Sequence, residues 1–392
     1  MLDANTIDFN NLDFNNLDYR LEHLEKNQII DLINEYYNNK NVKTLINKYN
    51  LTITNSNLYK ILPSVYSTDL CEYCNENMLI PLSSKSSPDI LDSINKYCPN
   101  CNHKSHQFYC NCLNCKKREE ELQKEKQLYL NQILDESNWN KVDELSLNEE
   151  TRLYLSIILK AGLSENTMYI EPLINYKDTL APTDKFETEL INYLISQNVI
   201  IPHPISDINE FKITEDGVSY GIYSIAYRIN IKPLDNNYDE MVKRLLYPES
   251  ELFSNDFCYT MWKKISYFEC LQYLLFQMKK VRYNFNPGKK TELVLEQLLE
   301  SFSVAQIYNI IFRAIANSTS RYQSGDITKI HAQNSVISSC ELQGQRAKAE
   351  KWDLKGYGRI RELPETLISK TLFNSIMGIS ALGFYEVPTD DL

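Results

Sequence analysis

Cys71-Glu-Tyr-Cys74 is the first of three Cys-x-x-Cys steps that decide how this chain folds; the other two are Cys98-Pro-Asn-Cys101 and Cys112-Leu-Asn-Cys115. Seven of the ten cysteines and two of the five histidines lie between Cys71 and Cys115. Two sulfurs separated by two residues in a tight turn both reach one Zn²⁺ at about 2.3 Å. Asn75 and Asn102 follow the first two steps, and asparagine tolerates the left-handed backbone that such a turn often needs. The pattern predicts a metal-binding module over residues 67–118.

The candidate ligands divide between two metal ions. The first two steps resemble the two knuckles of a zinc ribbon and predict one ion held by Cys71, Cys74, Cys98 and Cys101. For a second ion we choose Cys110, Cys112, Cys115 and one histidine, His106 in preference to His103. Two zinc ions are favoured over one ion with spare ligands, and a four-cysteine iron–sulfur cluster is a further alternative because spacing does not identify the metal. Four thiolates leave no position for water, which argues against catalysis at the first site.

Residues 26–66 show helical periodicity on the N-terminal side of the module. Three short helices are predicted, and their apolar positions are Ile29, Ile30, Ile33 and Tyr37, then Val42, Leu45, Ile46 and Tyr49, then Leu58, Tyr59 and Leu62. Pro63 ends the third helix. The fold class that follows is multidomain and mainly α.

This segment resembles the helix-turn-helix of resolvases, transposases and simple regulators. The residues that carry the resemblance are Val42-Lys43-Thr44-Leu45, Tyr49-Asn50-Leu51 and Leu58-Tyr59-Lys60. The stretch 52–57 departs from it, since it is about two residues longer than the usual turn and helix start. The resemblance implies that DNA is contacted by Lys43, Thr54, Asn55, Asn57 and Lys60, whose side chains suit base edges and phosphates. The alternative is a three-helix packing unit that binds nothing.

The remaining segments complete a six-part division of the chain. Residues 1–25 are predicted to form a polar arm in which a five-residue unit beginning at Ile7 is repeated, as in pentapeptide-repeat proteins, but too few times to build a coil. A charged helical linker covers 119–147, and a small α/β unit, compatible with a winged helix, covers 148–235. Residues 236–392 are predicted to be a helical domain whose aromatic-rich stretch, Phe253 to Met278, forms buried core.

Composition excludes several classes of protein. No stretch of 18 apolar residues occurs, so no membrane-spanning helix is expected, and the first residues lack the pattern of a signal peptide. We therefore expect a cytoplasmic protein, where paired cysteines bind metals rather than form disulfides. Only ten glycines are present, and neither a Walker-type nor a dinucleotide-binding loop is found, so no small-molecule cofactor is expected.

The charge is unevenly distributed over the chain. The net charge is −11, yet Lys263 to Lys290 contains seven basic residues against one acidic residue. A basic surface on an acidic chain suits nucleic acid or an acidic protein, although scattered surface charge would give the same count. Five residues in this stretch are candidates for nucleic-acid contacts, namely Lys279, Lys280, Arg282, Lys289 and Lys290.

The sequence as a whole favours a bacterial, zinc-stabilised, non-catalytic protein that binds nucleic acid or acts as an adaptor. Such combinations of zinc and helix modules occur in regulators, mobile-element proteins and anti-phage defence. The first alternative is a protein-interaction scaffold, in which the zinc module and the helical half both contact protein partners. The second is a nuclease with an unrecognised active site, which metal-dependent nicking of a plasmid would reveal.

Overall fold

A computed structural model describes residues 7–105, 110–215 and 217–390. The chain separates into two compact units, Met1–Leu128 and Tyr129–Leu392. The described residues are mainly helical and their strands form small two-stranded sheets, which confirms the predicted fold class at that level. The finer six-part division stays a prediction.

The N-terminal unit contains two helices, a β-hairpin and the start of a long third helix. Its elements are α1 (Lys26–Tyr37), α2 (Val42–Lys48), β1 (Val65–Leu70), β2 (Asn77–Ile80) and α3 (Leu113–Ile133), the last of which contains the boundary between the units. Strands β1 and β2 pair antiparallel.

The C-terminal unit alternates short strands with helices and then continues as helix. Its elements are β3 (Val142–Asp143), α4 (Glu149–Gly162), α5 (Asp184–Ser196), β4 (Ile200–Pro202), β5 (Phe211–Thr214), β6 (Gly217–Tyr220), β7 (Tyr227–Ile229), β8 (Ile231–Lys232), α6 (Tyr238–Leu246), α7 (Asn255–Lys280), α8 (Lys289–Leu299), α9 (Val304–Gln323), α10 (Lys329–Ala349), α11 (Leu367–Lys370), a π-helical turn (Thr371–Ile376) and α12 (Leu382–Tyr385). The pairs β4–β7 and β5–β6 are antiparallel, whereas β3–β8 is parallel.

Helices α1 and α2 form as their periodicity predicts. A capping box between Glu25 and Gln28 starts α1, and the Asn41 side chain accepts a hydrogen bond from the Lys43 N–H to start α2. The apolar face of α1 is buried in the N-terminal core together with Leu45 of α2. These packed faces supply stability that helices of this length lack in isolation.

The third element of this segment differs from the prediction of a regular helix. It is a 3₁₀-helix over Asn55–Ile61, with Leu58 and Ile61 buried. Asparagine and serine at its start compete for backbone hydrogen bonds, and Pro63 follows closely, so a short 3₁₀ turn is favoured over an α-helix. A recognition helix in a helix-turn-helix protein is an α-helix. The third element therefore differs in type from the recognition helix that the resemblance implies, and the helix-turn-helix assignment stays a prediction.

The repeated unit near the N-terminus packs into the fold rather than forming a polar arm. Asp8, Asp13 and Asp18 each accept a hydrogen bond from the backbone N–H two residues later, so each repeat makes the same turn. Asp13 is buried and also accepts a hydrogen bond from the Tyr66 hydroxyl at 3.0 Å. The apolar first positions of the units, such as Leu12, lie in the N-terminal core, which is the physical reason for the difference.

Helices α7 and α9 lie in the core of the C-terminal unit. The predicted aromatic core is confirmed: Trp262 is buried and its indole N–H donates to the Gly383 carbonyl at 2.8 Å. Tyr273 of α7 stacks on Tyr308 of α9 with ring centroids 3.8 Å apart. The buried residues of both helices belong to one continuous apolar core of the unit.

Candidate metal centre

The first ligand set consists of four cysteine sulfurs that converge at one point. All four lie within 4.8 Å of one another, and three of their separations are 3.6 Å for Cys71 and Cys101, 3.3 Å for Cys74 and Cys98, and 3.7 Å for Cys74 and Cys101. A metal ion holding four sulfurs at about 2.3 Å in a tetrahedron places them about 3.8 Å apart. The first ligand set therefore has the size of a single tetrahedral site, in the grouping that the sequence predicts.

Two similar turns present these sulfurs. In the first knuckle (residues 71–76) the Cys71 N–H donates to the Glu76 carbonyl at 2.8 Å, and in the second knuckle (residues 98–103) the Cys98 N–H donates to the His103 carbonyl at 2.7 Å. Asn75 and Asn102 have positive φ angles of 54° and 56°. The expectation that these two asparagines adopt the left-handed conformation is confirmed.

A small ladder of backbone hydrogen bonds joins the two knuckles. Leu79 of β2 and Tyr97 exchange hydrogen bonds of 2.7 and 3.0 Å, and Tyr97 also bridges to Lys104. The β1–β2 hairpin thereby holds the residue that precedes Cys98. Local turns and one hairpin are enough to bring sulfurs from distant parts of the sequence together.

The second ligand set consists of one imidazole and three sulfurs, His103, Cys110, Cys112 and Cys115, whose ligand atoms lie within 4.8 Å of one another. The His103 Nδ1 lies 3.2 Å from the Cys115 sulfur and 3.9 Å from the Cys112 sulfur. The described residues thus supply His103 as the histidine of this set. His106, which the sequence analysis preferred, lies outside the described residues, so that assignment stays a prediction.

The first knuckle also supplies side chains that surround the second ligand set. The His103 Nε2 lies 3.2 Å from a Glu72 carboxylate oxygen, and the Tyr73 hydroxyl lies 3.6 Å from the Cys115 sulfur. The Tyr73 and His103 rings meet edge to face with centroids 5.0 Å apart. Sequence reasoning missed both residues, because no spacing rule links the inner positions of one Cys-x-x-Cys step to the ligands of another ion.

Thiol acidity differs within each ligand set. Burial raises the pKa of Cys71, but hydrogen bonds from the backbone N–H groups of Tyr73 and Cys74 and from the neighbouring thiols together outweigh it and bring the pKa to about 7. At Cys110, burial is likewise opposed by the N–H groups of Cys112 and Lys104, and the pKa falls to about 6. Burial raises the pKa of Cys115 to about 11. Sulfurs this close resist ionising together, and a divalent cation among them supplies the charge that lets all of them ionise.

Most N-terminal candidates for nucleic-acid contact are exposed. Lys43 projects from α2, while Thr54, Asn55 and Lys60 are exposed on or beside the 3₁₀-helix. Asn57 is half-buried and donates from its amide to the Thr54 hydroxyl at 2.9 Å. The structure brings together the four residues of the 3₁₀ segment, and neither Lys43 nor Lys60 forms an ion pair with any described residue.

The C-terminal candidates divide into two groups. Lys289 pairs with Glu292 at 3.0 Å, and Lys290 pairs with Glu341 at 3.1 Å. Lys279, Lys280 and Arg282 are exposed at the end of α7 and form no ion pair in the part of the chain that the structure describes. A phosphate would therefore compete with a carboxylate at Lys289 and Lys290, but with no described carboxylate at Lys279, Lys280 and Arg282.

No family model, curated protein or solved structure matches this chain. The role of the two ligand sets therefore follows from their own geometry. Among the described residues no helix combines the length and the apolar character needed to cross a membrane.

Proposed function

We propose that this chain is a zinc-stabilised, non-catalytic binding protein that holds two structural zinc ions. The observation that carries the proposal is the presence of two complete four-ligand sets, one of four sulfurs and one of three sulfurs and an imidazole. Both compositions are typical of structural zinc. Neither leaves a position for a reacting water.

The sulfur separations favour a single ion over an iron–sulfur cluster. In a four-iron cluster each cysteine binds a different iron, which keeps the sulfurs of the four cysteines farther apart than one ion does. The separations of 3.3 to 3.7 Å in the first ligand set suit one ion. Zinc also has no redox chemistry, so it fits a site whose role is folding.

Metal analysis of the purified chain tests this proposal. Native mass spectrometry with elemental analysis is expected to find two zinc ions per chain. Cys98→Ser should lower the zinc content, whereas Cys258→Ala, which changes a cysteine outside both ligand sets, should keep two ions. One ion per chain, or iron in place of zinc, would overturn the proposal.

The exposed N-terminal side chains support nucleic acid as the bound partner. Among the described residues Lys43 and Lys60 have no carboxylate partner, whereas the neighbouring Lys40 and Lys48 are both paired with Glu35. Lys60 lies in the same 3₁₀ segment as Thr54 and Asn55, and together with Lys43 on α2 these side chains offer contacts to phosphates and base edges. The net charge of −11 makes such binding local and sensitive to salt. A regulatory, mobile-element or defence role in a bacterium is the setting that the resemblance implies.

Titration with duplex DNA at several salt concentrations tests this second step. Replacing Lys43 and Lys60 by glutamate should weaken binding and reduce the salt slope by about 2, because each lost phosphate contact removes about 0.9. The matched control is Lys177→Glu with Lys212→Glu, which makes the same charge change at exposed lysines of the C-terminal unit that are not candidates for nucleic-acid contact. If the first pair leaves affinity and slope unchanged, the N-terminal surface does not bind DNA.

A protein-interaction scaffold is the second candidate function. Helix α3 exposes three leucines, with fractional exposures of 67% for Leu113, 53% for Leu122 and 64% for Leu128. Exposed leucines on one charged helix favour a protein contact more than a nucleic-acid contact. Failure of the chain to be retained on heparin or duplex DNA at low salt would make the scaffold the better proposal.

A further inference from the structure

The two ligand sets share one residue of the second knuckle, His103. Its backbone holds the second knuckle of the first set together: the His103 N–H donates to the Cys101 sulfur, and the His103 carbonyl accepts a hydrogen bond from the Cys98 N–H at 2.7 Å. Its ring belongs to the second set, with Nδ1 3.2 Å from the Cys115 sulfur. The second knuckle must therefore be folded before this imidazole can take its place among the second ligands.

The first knuckle orients the same imidazole from the other side. When Nδ1 binds a metal ion, Nε2 carries the proton and donates it to the Glu72 carboxylate at 3.2 Å. Such a carboxylate fixes the tautomer and the ring orientation and makes the imidazole a better ligand. Tyr73 packs edge to face on the ring and points its hydroxyl toward the Cys115 sulfur. Glu72 and Tyr73 lie between Cys71 and Cys74, so they are in place only when the first knuckle is folded.

The contacts of the first ligand set come from its own two knuckles. Among the described residues its sulfurs contact one another and accept hydrogen bonds from the backbone of their own knuckles. Glu72 and Tyr73 are part of this set's own turn, but their side chains are directed to the second set. The four sulfurs of the first set can therefore converge before the second ion is bound.

We propose that the two ions bind with positive cooperativity, with the first ligand set filling first and Glu72 and Tyr73 acting as positioning residues for the second ion. This inference rests on the proposed function, because it requires two metal sites. By linkage, the second ion strengthens binding of the first by the same factor. A chelator should then remove the second ion before the first.

Titration of the metal-free, reduced chain with Co²⁺ tests the order of filling. Cobalt bound by four sulfurs absorbs differently from cobalt bound by three sulfurs and a nitrogen, so each ligand set has its own spectrum. The four-sulfur bands are expected first and the mixed bands second. Appearance of the mixed bands before the four-sulfur bands would overturn the proposed order.

Substitution of Glu72 tests the positioning role. Glu72→Gln keeps the size of the side chain but removes its charge, and the affinity of the second set should fall by about 10- to 100-fold, as for other hydrogen-bond partners of metal-bound histidines. Tyr73→Phe should lower it less. The matched control is Glu76→Gln, an exposed carboxylate in the same hairpin turn, which should leave both affinities unchanged.

The outcomes separate this inference from the proposed function. In a Cys112→Ser background, which removes a ligand of the second set, Glu72→Gln should leave the affinity of the first set unchanged. If the parent chain binds two ions and the Glu72→Gln variant binds both ions as tightly as the parent does, Glu72 is not a positioning residue, while the proposed function stands. If the parent chain binds fewer than two ions, the proposed function itself fails.

Discussion

The metal-binding module and the C-terminal unit keep water out of their interiors by different means. Among the described residues the buried apolar cluster at the first ligand set consists of Cys71, Met78 and Cys98. In the C-terminal unit a continuous apolar core includes the buried residues of α7 and α9, and Trp262 and Leu274 are enclosed in it. Apolar burial stabilises a fold by roughly 25 cal/mol for each Å² removed from water. A cluster of this size therefore contributes little to the stability of the module. Metal ligation is what replaces the missing core in the module.

Removal of the metal is the change with the largest expected effect on this comparison. A strong chelator with a reductant should unfold the module, because the binding free energy of a structural zinc ion, about 10 to 16 kcal/mol in finger peptides, is also folding free energy. Hydrogen exchange followed by mass spectrometry should show loss of protection at the amides of Cys71, Asn75, Cys98 and Asn102, which are hydrogen-bonded in the knuckles. Amides of α7 and α9 should stay protected.

Return of zinc is the control for this experiment, and it should restore protection in the knuckles. Equal loss of protection in α7 would mean that the C-terminal unit also depends on the metal. Retained protection in the knuckles without metal would mean that ligation does not hold the module together. Either result would remove the contrast between the two regions.

Truncation of a core side chain in the C-terminal unit should have the opposite pattern. Leu274→Ala creates a cavity in α7 and should lower the free energy of unfolding of this unit by about 2 to 5 kcal/mol. The zinc content should not change. Chemical denaturation followed by tryptophan fluorescence measures the loss, and elemental analysis measures the zinc.

A matched control is Leu293→Ala, which removes the same atoms from a side chain that is 46% exposed. This variant should unfold nearly as the parent does, because no enclosed cavity forms. If Leu274→Ala lowered the zinc content as well, the two regions would not be held by separate means.

The features predicted correctly from sequence depend on neighbouring residues. The grouping of Cys71 with Cys74, and the left-handed Asn75, follow from the geometry of a single turn. The periodicity of α1 and the aromatic pattern of α7 likewise report which face of one helix is buried. Interactions between residues close in the chain determine these elements, so they can be predicted from a single sequence.

The features that sequence reasoning missed depend on residues far apart in the chain. Glu72 meets His103 across 31 positions, and Lys290 meets Glu341 across 51 positions. The Asp13 side chain is buried because Tyr66 donates to it, although the repeat itself reads as polar. Such pairings are created by the tertiary fold, and neither composition nor spacing records them.

The smallest expected effect concerns the backbone of the second knuckle. Asn102 has a φ of 56°, where a Cβ-bearing residue without a polar side chain is disfavoured. Asn102→Ala should therefore destabilise the metal-bound knuckle by about 1 kcal/mol, which weakens zinc binding by about fivefold. Competition with a coloured zinc chelator measures the change.

Two variants separate backbone strain from loss of the amide side chain. Asn102→Gly should bind zinc at least as well as the parent, since glycine reaches positive φ without cost. Asn100→Ala removes an exposed asparagine inside the same Cys-x-x-Cys step, where φ is not positive, and should have little effect. If Asn100→Ala and Asn102→Ala weaken binding equally, the left-handed turn is not what the asparagine provides. If only Asn102→Ala does so, the ligand geometry of the module depends on backbone strain as well as on sulfur, unlike the core of the C-terminal unit.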